Sequence, residues 1–345
     1  LYILIKYVKV RQNKIQEKSL NGCEKMKDRF NREIKYLRIS ITEKCNLKCI
    51  YCSPSEGEQC AEEREKHLTA EEIESVVRSM AQIGISKVRI TGGEPLIRKD
   101  ACEIIERIAK ISGIEDISLT TNGVMLNKMA ETLKKAGLTR LNISLDSLKE
   151  DKFSYITGGG KLKDTLAGIE KSLAIGLQPV KINTVLVKGV NDDEIDSFIE
   201  LTKDMPLQVR FIELMPIGPF GEANSDKIIP NEEIIEARPQ LVFDYKSNKG
   251  QPATYYTIDG YKGKVGFISP MSHKFCSTCN RIRLTSDGKL KPCLGNNGEI
   301  DLIETIRKYP DKLDHLIQDT IYNKPQGHNF GKDFSSVRSM NKIGG

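Results

Sequence analysis

Two sets of three cysteines carry the most pointed chemistry in this chain. In TEKCNLKCIYCSP (residues 42–54), Cys45, Cys49 and Cys52 stand at C-x3-C-x2-C spacing. In FCSTCNRIRLTSDGKLKPCL (275–294), Cys276, Cys279 and Cys293 stand at C-x2-C-x13-C spacing. Thiolates this close in sequence point to metal. A structural zinc ion takes four ligands and most iron–sulfur clusters take four cysteines, yet each set supplies three. Spacing leaves two readings. In one, zinc is completed by Cys60 in the first set and by His273, just ahead of Cys276, in the second. In the other, weighed for the first set, the three thiols hold a [4Fe–4S] cluster whose remaining iron is open to a small molecule, much as a catalytic zinc keeps an open position. The chain has nine cysteines. An odd count, with six in two tight groups, argues for metal ligation in a reducing compartment over a disulfide framework.

The elements that must position these thiols can be read from periodicity. From residue 37, short β-branched runs alternate with helical patterns: LRISIT (37–42), KVRIT (87–91), DISLTT (116–121), RLNISL (140–145), VKINTVLV (180–187) and LQVRFIEL (207–214). The clearest helix begins after Thr69, with Glu72 completing a capping box and Ile73, Val76, Val77, Met80 and Ile83 at the helical period. Asp100 is placed to cap a second helix carrying Ile104, Ile105 and Ile108. Six alternations predict a parallel sheet, open or barrel-like. The strand faces narrow the choice. Leu37, Ile39 and Ile41 share one face, with Arg38, Ser40 and Thr42 on the other; later strands repeat the pattern. Parallel strands covered on both faces would be apolar throughout. The polar, partly cationic face predicts a wide or incomplete barrel with a wet, basic interior able to hold a charged ligand.

At 345 residues, 39% hydrophobic and 29% charged, the chain is long enough for one large domain or two. No apolar run reaches the 18 or so residues of a membrane span, and the start is broken by Lys6 and Lys9, unlike a signal peptide. The net charge of +6 fits a lysine-rich surface or an anionic ligand. No basic run interleaved with aromatics marks nucleic-acid binding. Residues 1–25 read as a loose extension or mis-called start. Residues 26–230 read as the barrel and 231–330 as a smaller α+β unit, with glycines and prolines marking the boundary. Residues 331–345 read as a tail ending in Gly344-Gly345. Cys102, on a helix, reads as a small buried residue.

The first cysteine motif has Tyr51 before its last cysteine, follows a first strand, and is followed one βα unit later by TGGEPL (91–96). It resembles the radical S-adenosylmethionine (SAM) superfamily. The resemblance implies a partial (β/α)6 barrel with a C-terminal α+β extension carrying a second Fe–S cluster, and it gives the open iron to SAM. With the second motif, TTNG (120–123), LDSL (145–148), ITGGG (156–160), KINTV (181–185), RFIELMPIG (210–218) and the terminal glycines, the chain from about Met26 onward resembles the GTP 3′,8-cyclase family of molybdenum-cofactor biosynthesis.

That resemblance implies two [4Fe–4S] clusters, on Cys45, Cys49 and Cys52 and on Cys276, Cys279 and Cys293, with the second open iron meeting guanine. It implies SAM contacts at Tyr51, Gly93, Ser144 and Met215. It implies GTP contacts at Arg38, Arg89, Thr120, Lys181, Arg281 and Arg283, with Lys87 and Arg210 as further cationic lining. Guanidinium forks suit phosphate oxygens. The implied reaction is cleavage of SAM to methionine and a 5′-deoxyadenosyl radical, hydrogen abstraction from ribose C3′, and closure of C3′ onto guanine C8. The implied partners are a low-potential electron donor and a downstream cyclic pyranopterin monophosphate synthase in the cytoplasm; a homodimer is compatible. Two alternatives stand beside it: another radical SAM enzyme with an auxiliary cluster, such as a peptide maturase, and a non-enzymatic zinc-binding protein.

Overall fold

Six strands, buried at most positions on both faces, build the frame of the molecule. A computed structural model describes residues 26–52, 67–246, 251–330 and 334–344. The N-terminal extension with Cys23, together with Cys60 and Gly345, lies outside the described residues. Strands β1 (Tyr36–Ser40), β2 (Lys87–Thr91), β3 (Asp116–Thr121), β4 (Arg140–Ser144), β5 (Val180–Leu186) and β6 (Leu207–Glu213) each pair parallel with the next. Helices α1 (Ala70–Gln82), α2 (Ala101–Ala109), α3 (Leu126–Lys135), α4 (Glu150–Thr157), α5 (Leu162–Ala174) and α6 (Ile195–Asp204) lie in the crossovers. Leu37, Ile39, Val88, Ile90, Ile117, Leu119, Leu141 and Ile143 share one buried core with the apolar faces of these helices.

The local signals explain the helix starts unevenly. At α1 the capping box forms: the Glu72 amide donates to Thr69 Oγ1 at 3.2 Å, and the Thr69 amide donates to Glu72 Oε2 at 2.9 Å. At α2 Asp100 occupies the N-cap position but caps no amide. Its carboxylate instead accepts both arms of the Arg98 guanidinium, at 2.7 and 2.9 Å. A charge-assisted bidentate pair outcompetes a neutral cap. Cys102 on α2 is half-buried against the core rather than enclosed in it.

Periodicity does not reveal where the later strands go. Strands β7 (Val242–Phe243), β8 (Ala253–Thr257), β9 (Lys264–Ile268), β10 (Arg281–Leu284), β11 (Lys289–Lys291) and β12 (Ile300–Asp301) join the same sheet. Its order is β12-β11-β10-β1-β2-β3-β4-β5-β6-β9-β8-β7. Strand β10 runs parallel to β1 and β9 parallel to β6, so the later region extends both edges of the barrel. The remaining pairings are antiparallel. Parallel strands run unbroken from β10 to β9, and the sheet stays open. A small second apolar cluster of Ile217, Phe330 and Ile343 docks the tail. No helix among the described residues is long and apolar enough to cross a membrane.

Candidate active site

Strand register places the two cysteine sets at opposite ends of one strand pair. Cys45, Cys49 and Cys52 follow the C-terminal end of β1. Cys276 and Cys279 precede β10, whose first residue Arg281 sits opposite Tyr36, the first residue of β1. Cys293 follows β11, which runs antiparallel to β10, and so returns to that same end. The five residues of β1 separate the two ends by about 16 Å at ~3.3 Å per residue. Between them lies a cavity of ≈ 300 Å³ lined by all six cysteines.

Cations line the passage in a row. Arg38 stands opposite Arg283 on one side and Arg89 on the other. All three point inward, with neighbouring strands only about 5 Å apart. Burial, and then the Arg283 and Arg89 charges, push Arg38 well below its ordinary pKa. Burial, then Arg281, brings Arg283 down to about 10. Burial likewise brings Arg210 down to about 10. Packed guanidiniums without counter-ions are costly. Arg38 Nε, Arg210 Nε, Thr120 Oγ1 and Asn183 Oδ1 are buried in this cavity's wall without hydrogen-bond partners among the described residues. Such orphaned groups fit a polar, anionic ligand.

The thiols fit clusters. Burial and the neighbouring Cys52 push Cys49 well above its ordinary value; burial and Cys45 push Cys52 up to about 12. Thiolates crowded together need positive charge, which iron supplies. In the second set burial raises Cys293. Burial acts the same way on Cys279, but the Lys324 ammonium and Arg281 hold it below its ordinary value. His273, the candidate fourth zinc ligand, is exposed and paired with Glu232. It is absent from the cavity wall that the three cysteines share, so the second set supplies three thiols facing an open space.

The glycine-rich element meets the first cysteine loop closely. Gly93 N donates to Thr42 O at 2.7 Å and Glu94 N to Lys44 O at 2.8 Å. A Cβ on Gly93 would stand 2.2 Å from Lys44 O. The glycine therefore permits, first of all, the approach of the loop that enters Cys45. Burial raises Glu94 to about 7, against hydrogen bonds from the Asn122 amide, the Thr121 hydroxyl and the Leu96 amide. Tyr51 donates to Asp146 at 2.5 Å. Burial raises Asp146 to about 6.

Tyr51, Gly93, Ser144 and Met215 all line the cavity, as do Arg38, Arg89, Thr120, Arg281, Arg283 and Arg210. Lys181 does not. It is buried one step further back along β5, with its ammonium 3.3 Å from the Tyr255 hydroxyl. Lys87 is exposed and takes no part in the lining. From the tail, Gly344 O accepts from Arg283 Nη1 at 2.6 Å, and Asn341 donates to Glu43 O at 3.2 Å. Sequence reasoning missed Lys324, His328, Asn183 and Glu213, which also line the cavity. Asn183 and Glu213 lie within strand runs already identified. The other two follow α-helical sequence with no spacing to mark them.

Residues 39–202 match the model of the Radical SAM superfamily and residues 207–330 that of Molybdenum Cofactor Synthesis C. A GTP 3′,8-cyclase from Alkaliphilus oremlandii is 50% identical over 322 residues, covering 93% of this chain and 100% of that protein. One from Listeria welshimeri is 47% identical over 321 residues, covering 92% and 96%. This chain belongs to the GTP 3′,8-cyclase family. That family uses SAM and [4Fe–4S] clusters, and this chain carries two three-cysteine sets on one cavity. Among solved structures, SuiB of Streptococcus suis bound to S-adenosylmethionine superposes with a TM-score of 0.58 at 17% identity, covering 85% of this chain and 69% of that one. At that identity the likeness carries the fold, a partial radical SAM barrel with a C-terminal extension.

Proposed function

We propose that this chain converts GTP to 3′,8-cyclo-7,8-dihydro-GTP, the first step of molybdenum-cofactor biosynthesis. One observation carries the reading: a row of inward guanidiniums, Arg283 and Arg89 buried and Arg38 half-buried between them, spans the passage between two three-cysteine sets. A GTP held there sets its purine towards the second set and its ribose towards the first, with its phosphates folded against the cations between them.

A cluster held by Cys45, Cys49 and Cys52 would, with SAM, supply the radical chemistry that removes hydrogen from ribose C3′ for its bond to guanine C8. The chain's own residues bind and orient. Cys45, Cys49 and Cys52 hold the first cluster; Tyr51, Gly93, Ser144 and Met215 surround SAM. Cys276, Cys279 and Cys293 would hold the second cluster, whose open iron would meet the purine. Arg38, Arg89, Arg281 and Arg283 take the phosphates, with Thr120 and the deeper Lys181 completing the GTP site. Fixing C3′ near C8 makes ring closure effectively unimolecular. The Gly344 carbonyl on Arg283 brings the tail to the same guanidinium. The reading extends to a low-potential electron donor, to a downstream cyclic pyranopterin monophosphate synthase that takes the product, to a cytoplasmic setting and to a homodimer.

The test is anaerobic incubation of reconstituted protein with SAM, reductant and GTP deuterated at C3′. Hydrogen abstraction followed by one-electron reduction and protonation gives an isomer of GTP, so the label decides. 5′-Deoxyadenosine should carry the deuterium, and the separated nucleotide product should lack it. Deuterium found only in unconverted GTP overturns the reading. The Arg281→Ala plus Arg283→Ala variant should lose GTP turnover by about 100-fold or more, since each charge-assisted contact is worth ~1.5–3 kcal/mol, while slow SAM cleavage continues. Unchanged GTP turnover would remove these two arginines from the substrate site.

A further inference from the structure

Arg32 lies four residues ahead of β1, outside the barrel strands, yet it is only 7% exposed. Its Nε donates to Asp28 Oδ2 at 2.6 Å. Its Nη1 donates to Cys276 O and to Gln326 O, both at 2.9 Å. Its Nη2 donates to Pro325 O at 2.7 Å and, more weakly, to Lys324 O at 3.4 Å. Asp28 is fully buried and held in turn by the amides of Phe30 and Arg32, at 3.0 and 2.9 Å. One guanidinium thus gathers the carbonyl of a cluster cysteine and three consecutive carbonyls of a distant segment.

That distant segment is the brace of the second cysteine set. Lys324 Nζ donates to the carbonyl of Pro292, the residue before Cys293. Asn329 N donates to Gly295 O at 2.8 Å, just after Cys293. His328 Nε2 lies 3.1 Å from Pro270 O. Gly327 runs so close that a Cβ there would lie 3.7 Å from Cys276 Sγ. From the other edge of the barrel, Glu213 at the end of β6 accepts from the amides of Met271 and Ser272, at 2.9 and 3.0 Å. The stretch 270–276 therefore hangs between the last barrel strand and the approach to the first.

We propose that Arg32, oriented by Asp28, is a positioning residue for the second cysteine set, fixing Cys276 directly and Cys293 through residues 324–326. Arg32 does not line the cavity; it acts through backbone carbonyls. Only a planar fork reaches four carbonyls and a carboxylate at once, so lysine cannot replace it. Losing the guanidinium leaves buried acceptors without donors and Asp28 without its cation.

The inference rests on the cyclase reading for what fills the cysteine set, and the test separates the two. Wild-type protein, Arg32→Met and Arg32→Lys are reconstituted anaerobically. Iron and sulfide per chain are measured, and accessible thiols are alkylated and mapped by peptide mass. In wild-type protein all six cysteines should be protected. In both variants Cys276, Cys279 and Cys293 should become alkylated with loss of that set's iron. Cys45, Cys49 and Cys52 should stay protected, and SAM cleavage without GTP should continue. Variants that keep all six cysteines protected overturn the proposal. So does loss of protection at both sets together, which marks a role in overall stability. If Arg32→Met does not fold, Asp28→Asn takes its place, with partial exposure of the second set expected and none of the first; equal exposure of both overturns the proposal. If wild-type protein leaves Cys276, Cys279 and Cys293 unprotected, the two-cluster reading falls and this inference with it.

Discussion

At the scale of single residues, the site's character comes from charges that folding places where they are unfavourable. Lys181 shows the sign clearly. Burial, and then the cations Arg210, Arg140 and Arg89, lower it from the ordinary 10.5 to about 6. Between those values the unfolded chain binds a proton that the ligand-free folded chain does not. This residue therefore makes stability rise with pH across that window, and its contribution falls away as pH drops towards 6. Urea midpoints measured at pH 6.5 and pH 9 should show the wild type gaining more from the higher pH than Lys181→Met does. Equal pH dependence in the two proteins would mean that Lys181 keeps its proton in the ligand-free fold. The same reasoning gives the binding direction. In the proposed GTP site an anion brought close to Lys181 would favour the ammonium, so that binding there would take up a proton and weaken as pH rises above about 6. The unpartnered Nε atoms of Arg38 and Arg210 make the same demand by geometry.

At the scale of elements, the close contact between TGGEPL and the first cysteine loop is a joint that tolerates nothing extra. Gly93→Ala would drive its methyl into backbone atoms of Glu43 and Lys44, so one of the two segments must move. Overpacking of this kind costs about 1–3 kcal/mol. The segment that moves leads straight into Cys45. The variant should unfold at a lower temperature and lose iron at Cys45, Cys49 and Cys52, while Cys276, Cys279 and Cys293 remain protected from alkylation. Normal SAM cleavage by Gly93→Ala would show that the loop adapts. This joint also marks how far the sequence could be read. Alternation placed Arg38 and Arg89 on one inward face correctly, because strand period depends only on local backbone geometry. The capping box at Thr69 was equally local. Asp100 was misread because its competitor, Arg98, is a side-chain partner and not a helix amide. Lys324 and Arg32 were invisible because their partners lie 32 and up to 294 residues away. Lys87 shares the alternation of Arg89, yet it sits at the strand's first position and is itself exposed.

At the scale of the whole molecule, the later region is less an appendage than the two outer walls of the barrel. Val265 and Phe267 on β9 and Ile282 and Leu284 on β10 are all buried at 2% exposure or less, in the same core as Leu37, Ile39 and Val209. Register carries the guanidinium row across the junction, from Arg283 on β10 to Arg38 on β1 and Arg89 on β2. The substrate passage thus cannot be divided between two independently folding halves. Each inner edge strand also depends on a partner supplied from beyond residue 260, and an unpaired edge with apolar neighbours seeks another chain. Residues 26–230 expressed alone should therefore accumulate as aggregates or soluble oligomers, whereas residues 26–345 should not. Light scattering after size exclusion distinguishes them. A monomeric 26–230 fragment that unfolds cooperatively would show that β1 and β6 are stable as edges, and that β9 and β10 serve the site without being needed for the barrel.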